Sequence, residues 1–361
     1  MRTEFGVRLP ESALEASKRA SKKIQSLKKA LAEKGFYRDA PFDIRPVPER
    51  LRNLDVESVI DDFAKKAAIY QEPLDSQLPA SVLELRDKAR HWLRQFDHND
   101  HIECALTLLK HFKFITRQDT VSAVRTFIEK NNSFRGATVI PFGAVRDSGS
   151  IQTYFTADLM PTYVSGCETL DSAAKKSIRG PIIIIDDFVA SGGQGRDILA
   201  AGFGLSSLRL ELGETRDMFE GDVQTFLRSN PVAFVFTAGW KDGIDSIVRL
   251  ARQAGMNAVA YCHLSEDQLP FAFENCLNDV DSSVALTFKE RCRDIGEGLI
   301  ASMQTAPDKS KIQSRALGYG NRGMLLASSV NVPSQTLTCF WANGNVESVH
   351  WQPLLLRRKK L

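Results

Sequence analysis

In the second half of the chain, apolar residues come in short unbroken runs: Ala137 to Pro141, Pro181 to Ile185, Ala233 to Thr237 and Ala258 to Cys262. Runs of this length, rich in β-branched residues and lacking polar alternation, predict strands buried on both faces. Between them, Gly193 to Ala201 and Ile244 to Ala254 carry apolar residues at helical spacing. Strands alternating with helices predict an α/β fold with a largely parallel sheet covered on both sides. Ligands are then expected at the carboxyl ends of the strands.

The first half has a different pattern. Leu14, Ile24, Leu27 and Leu31 put a narrow apolar stripe on a helix between Glu11 and Lys34, and Lys18, Arg19, Lys22, Lys23, Lys28 and Lys29 fill its other faces. Gly35 ends it, and Pro41, Pro46 and Pro48 mark a linker, because proline lacks a backbone donor and restricts the residue before it. Residues 1–49 therefore read as a basic helical arm with its linker, and residues 50–133 as a helical domain. Asp100 is placed to cap a helix through Phe112 with Ile102, Ala105, Leu106 and Leu109 inward. Thr116 to Asp119 spell a capping box for a second helix bearing Val121, Val124, Phe127 and Ile128. Two helices this close form either a helix-turn-helix, winged-helix-like unit, with Gln118, Thr120, Ser122 and Arg125 facing a nucleic-acid groove, or ordinary helical packing. No wing hairpin follows, since Ala137 already begins a strand. Residues 134–361 are the α/β domain.

Composition narrows the class. With 361 residues, 43% of them hydrophobic and 25% charged, the chain can bury a sizeable core. Cys104, Cys167, Cys262, Cys276, Cys292 and Cys339 are scattered, with no CxxC pair and no metal-ligand spacing, which points to a reducing cytoplasm. No apolar run approaches the roughly 20 residues that cross a bilayer, so no membrane partner is expected. A net charge of +3 is too small to argue for nucleic-acid binding by itself; the positive charge is concentrated at the two ends, Lys18 to Lys29 and Arg357 to Lys360. Such runs are either solvated faces or contacts to nucleic-acid phosphates or to a protein partner.

The most informative stretch runs from Ile182 to Gly195. Four isoleucines end in Asp186 and Asp187, and after three further residues Ser191, Gly192, Gly193, Gln194 and Gly195 open a helix. Glycines let backbone N–H groups close around a phosphate at a helix N-terminus, and the Ser191 hydroxyl adds a donor. Two carboxylates would repel that phosphate directly but can accept hydrogen bonds from the hydroxyls of a ribose beside it. The stretch resembles the phosphoribosyl-pyrophosphate signature of type I phosphoribosyltransferases. Gln194 departs from it, standing where that family usually has threonine.

The resemblance implies roles for other residues. Asp186 and Asp187 would hold the ribose and, directly or indirectly, Mg2+. Arg146, Asp147, Ser148, Gly149 and Ser150 follow the strand Ala137 to Pro141, where type I enzymes bind pyrophosphate, and Arg146 would neutralise the leaving group. Read alone, they are a polar turn. Ile151 to Arg179 would be a mobile lid, with Tyr154, Lys175 and Lys176 closing over substrate. Trp240 and Lys241, beyond the strand ending at Thr237, could meet an acceptor base, although Trp240 equally suits a core.

The C-terminal stretches Leu317 to Gly320, Asn331 to Leu337 through Trp341, and Trp351 to Leu354 resemble closing motifs of phosphoribosyltransferase-like proteins of bacterial conflict systems. This resemblance covers roughly residues 100–361. It implies a retron-associated anti-phage effector, a toxin restrained by a reverse transcriptase and its DNA–RNA hybrid. Trp341 is either a base-binding or a sheet-capping residue. Lys22, Lys23, Lys28, Lys29 and Arg125 are the candidate contacts to nucleic acid or partner. Two alternatives remain: a nucleic-acid-binding regulator that senses phosphoribosyl pyrophosphate without catalysis, and a nucleobase salvage phosphoribosyltransferase. The acceptor and the oligomeric state are not fixed by sequence.

Overall fold

A computed structural model describes residues 55–70, 81–143, 148–206, 217–303, 308–329, 331–347 and 349–357. The basic arm, with Lys22, Lys23, Lys28 and Lys29, lies outside them, as do Arg146 and Asp147.

Three helices come first: α1 (Val56–Ala67), α2 (Val82–Leu93) and α3 (Asn99–His111). Asp55 caps α1 through the Ser58 amide, and Ser81 and Glu84 form a reciprocal capping box on α2. For α3 the N-cap is His98, without a side-chain cap bond, and Asp100 lies inside the first turn rather than at the cap. A strand, β1 (Lys113–Ile115), then separates α3 from α4 (Arg117–Lys130), whose Thr116–Asp119 capping box is the one the sequence spells out.

The α/β unit continues as β2 (Ala137–Pro141), α5 (Ser148–Phe155), β3 (Val164–Cys167), α6 (Leu170–Lys175), β4 (Ile182–Val189), α7 (Gly193–Phe203), α8 (Gly221–Ser229), β5 (Pro231–Gly239), α9 (Lys241–Gln253) and β6 (Asn257–Leu264). Five strands form one sheet in the order β3-β2-β4-β5-β6, and every neighbouring pair is parallel. In the central strand β4 the side-chain period of two sorts the isoleucines between opposite layers. Ile182 and Ile184 join Leu199, Phe234, Phe236 and Ile247, whereas Ile183 and Ile185 join Val121, Val124 and Phe127. This is the α/β architecture with a covered parallel sheet that the apolar runs predict.

The chain ends with α10 (Ser282–Ser302), α11 (Lys309–Arg315), β7 (Leu326–Ser328), α12 (Thr338–Trp341), β8 (Gly344–Val346) and β9 (Val349–Trp351). These elements share one core with α1 to α3: Phe63, Trp92, Leu106 and Phe112 pack with Phe288, Cys339, Phe340 and Trp351. The helices before residue 112 are thus completed by the C-terminal segment, and no seam falls at 133/134. A further cluster of Ile115, Ala238, Leu269, Phe271, Met324 and Leu326 fixes that segment against the carboxyl edge of the sheet.

One expectation is corrected here. The helix-turn-helix turn is occupied by β1, which pairs in parallel with β7, and α4 is a layer of the sandwich rather than a free recognition helix. Thr120, expected in a groove, is 0% exposed and donates to the Gln152 side chain. The reason is that β1 and α4 satisfy their backbone and apolar groups against β7 and the sheet, partners distant in sequence. The lid expected over Ile151 to Arg179 holds most of α5, all of α6 and the edge strand β3, with Lys176 paired to Glu168.

Candidate functional site

The strand order reverses between β2 and β4, since β3 lies outside β2 while β5 and β6 continue on the far side of β4. A crevice opens at such a switch point, outside the strand carboxyl ends. Phe142, just after β2, and the loop after β4 flank it, and the sequence singles out the loops after both strands.

The loop after β4 is built by close glycine packing. Gly192 adopts φ 71°, a left-handed conformation that glycine takes without steric cost, and begins α7 as its N-cap. Across from it, a Cβ on Gly243, in the first turn of α9, would fall 1.8 Å from the Ala190 carbonyl oxygen. A Cβ on Gly195 would fall 2.7 Å from the Phe142 ring, so α7 abuts the end of β2. The first turn of α7 has no side-chain cap, and its amides carry the positive end of the helix dipole.

Around this turn lies a cavity of about 180 Å³, whose lining includes Asp186, Ser191, Gly192, Gly193, Gln194 and Gly195. The C-terminal segment supplies the facing wall with Tyr319, Asn331, Pro333, Ser334, Gln335 and Arg357. Motifs noticed separately in sequence therefore meet at one place. The two carboxylates face opposite sides of the sheet: β4 runs past both to Val189, in register with β5, so the pleat separates them. Asp186 lines the cavity and accepts from the Asp187 amide at 2.9 Å. Asp187 is 2% exposed, and its Oδ2 accepts from the Ser328 hydroxyl at 2.7 Å.

Of the residues expected at the pyrophosphate loop, Ser148, Gly149 and Ser150 form the first turn of α5. Gly149 is packed so tightly that a Cβ would lie 2.8 Å from the Phe142 amide nitrogen, and the buried Ser150 hydroxyl has no hydrogen-bond partner among the described residues. Trp240 does not line the cavity; Arg322 lies over its ring at 4.7 Å and Phe188 meets it edge-on. Lys241 is exposed and paired with Asp245. Trp341 donates to the Thr336 carbonyl and supports Arg357, whose guanidinium lies 5.2 Å from its ring centroid. Arg125 is exposed on α4 near the Tyr163 ring, which also carries Arg135. Sequence reasoning missed Gly243, Ser328 and Phe142. It placed Arg357 in a basic surface run, whereas the side chain turns inward to the cavity.

A five-stranded parallel sheet with a Ser-Gly-Gly turn opening a helix at its switch point, behind a strand that carries two adjacent aspartates, defines a phosphoribosyltransferase-like protein. The chain belongs to the PRTase-CE family, whose profile matches residues 89–357. No curated protein matches the sequence.

Proposed function

We propose that the cavity binds phosphoribosyl pyrophosphate or a related ribose phosphate, with the 5-phosphate on the first turn of α7. The observation that carries this reading is the position of the Asp186–Gly195 loop at the switch point, with an uncapped helix N-terminus aimed into a cavity that Asp186 lines. The amides of Gly193 to Gly195 and the Ser191 hydroxyl donate to the phosphate, and Asp186 accepts from a ribose hydroxyl. Asp187, tied to Ser328, holds the strand end in place. About 180 Å³ suits a phosphate and part of a sugar.

In the transfer reaction, a nucleophile's bond to the anomeric carbon forms as the bond from that carbon to the pyrophosphate oxygen breaks, and pyrophosphate departs with the electron pair. Arg146 is the residue we assign to the leaving group. Among the described residues no cluster of three or more His, Cys, Asp or Glu is placed to hold a metal ion. The donor set instead suits magnesium brought by the phosphate oxygens, with Asp186 as the protein carboxylate, directly or through water.

The wider role follows from the resemblance: a cytoplasmic retron effector, toxic when released from a reverse transcriptase and its DNA–RNA hybrid. The burial of Thr120 and the packing of α4 on the sheet count against a DNA-reading regulator that uses this helix. Calorimetric titration of phosphoribosyl pyrophosphate with magnesium tests the site. Saturable binding to wild type, lost in Asp186→Ala, is expected; a well-folded wild type that takes up none overturns the reading.

A further inference from the structure

We propose that Arg357 is the counter-cation of the phosphate seated on α7, delivered by a C-terminal strap that the helical lobe holds in place. This rests on the ribose-phosphate reading and adds to it a residue from outside the glycine loop. Three observations carry it.

The Arg357 side chain lines the same cavity as Gly193 and Asp186. It is oriented from behind by the Trp341 ring, at 5.2 Å, and the indole is itself fixed by its 2.8 Å bond to the Thr336 carbonyl. A guanidinium placed over an indole face keeps its planar fork of donors available, and that fork can grip a phosphate with two parallel bonds.

Arg357 also lacks the carboxylate partner that some arginines of this chain have. Arg90, Arg117, Arg291 and Arg322 each form an ion pair with a carboxylate. Arg357 forms none among the described residues, and its Nε is buried without an acceptor. Burial pushes its pKa below the usual arginine value; Tyr70 opposes the shift and Arg315 adds a smaller lowering. The group remains cationic at neutral pH, because arginine begins so far above it. A half-buried cation facing an uncapped helix N-terminus is an arrangement that an anion would relieve.

The strap is fastened just before Arg357. The Tyr70 hydroxyl donates to the Leu356 carbonyl at 2.5 Å, and the Leu355 amide donates to the Phe340 carbonyl at 2.9 Å. Further back, Gln95 and Gln352 exchange two hydrogen bonds, at 2.7 and 2.8 Å. The helices before the α/β unit thus have a use at the site, since they hold the backbone that presents Arg357.

The test is calorimetric titration of the full chain with ribose 5-phosphate, with ribose as the uncharged control. Arg357→Met is expected to weaken ribose 5-phosphate binding about tenfold or more and to flatten its salt dependence. Arg357→Lys, which keeps the charge but loses the planar fork, is expected to fall between wild type and Arg357→Met. Equal affinity of wild type and a folded Arg357→Met overturns the inference and leaves the ribose-phosphate reading standing. Failure of folded wild type to bind ribose 5-phosphate, with or without magnesium, overturns both. If Arg357→Met does not fold, Arg357→Lys decides: severalfold weaker binding supports the inference and unchanged affinity overturns it.

Discussion

Ser328 donates its hydroxyl proton to Asp187 at 2.7 Å across 141 residues of chain, and this bond joins β7 to the end of β4 directly beneath the candidate site. Both residues are almost fully buried. The two adjacent aspartates therefore have separable jobs. Ser328→Ala removes a donor from a buried carboxylate and is expected to cost about 1–3 kcal/mol of stability. Asp187→Ala should destabilise comparably, whereas Asp186→Ala should leave the unfolding midpoint nearly unchanged while abolishing ligand binding. Urea melts alongside calorimetry check this; equal loss of stability in the two aspartate variants would contradict the separation.

Gly243→Ala is expected to damage the phosphate loop from the far side of the crevice. Its Cβ would lie 1.8 Å from the Ala190 carbonyl oxygen and 2.8 Å from the Gly192 amide nitrogen, both backbone atoms that cannot rotate away. Forced overpacking of this kind costs about 1–3 kcal/mol. The loop must shift away from α9, so binding of phosphoribosyl pyrophosphate should fall more steeply than stability does. Parallel thermal melts and titrations read both effects, and wild-type affinity in a destabilised variant would place the strain elsewhere.

These two cases show where the sequence was legible. The Ile182–Gly195 loop could be read because one continuous segment carries strand, turn and helix start, all local features. The strand β2 and the Thr116–Asp119 capping box were readable for the same reason. The apolar run predicts a strand that stops before Asp186 and Asp187; its continuation to Val189 is imposed by pairing with β5. Ser328, Gly243 and Arg357 were illegible because each acquires its meaning from a segment far away in sequence. The helix-turn-helix expectation failed likewise, since the partner of β1 is β7, more than two hundred residues downstream.

The Cys339 carbonyl accepts from two indoles, Trp92 Nε1 and Trp351 Nε1, each at 2.9 Å. This fork joins α2, α12 and β9 in the core that supports the strap. Trp351→Phe keeps most of the buried ring and loses the bond, a change worth about 1 kcal/mol. Trp351→Ala also opens a cavity and is expected to cost about 3–5 kcal/mol. Because β9 leads into Gln352 to Arg357, the alanine variant should also lose ribose 5-phosphate affinity at temperatures where it remains folded. Retained affinity there would show that the strap is held independently of this core.

His101 sets an acid limit on the same lobe. It is 8% exposed, its Nδ1 is buried without a partner, and the rings of His98 and Phe288 lie against it. Burial, His98 and Arg291 lower its pKa from 6.5, and Asp100 and Asp97 oppose them more weakly. The unfolded chain therefore takes up this proton at a higher pH than the folded chain, and stability rises with pH between the two pKa values. The full contribution is present above about pH 6.5 and is lost as pH falls through that value towards the lower folded pKa. His91 and His263, also lowered chiefly by burial, act in the same direction. Urea midpoints should accordingly fall between pH 7.5 and 5, and His101→Phe, which fills a similar volume without titrating, should make that fall shallower. An identical pH profile in the variant would mean that His101 is readily protonated in the folded state and that the acid sensitivity lies with other groups.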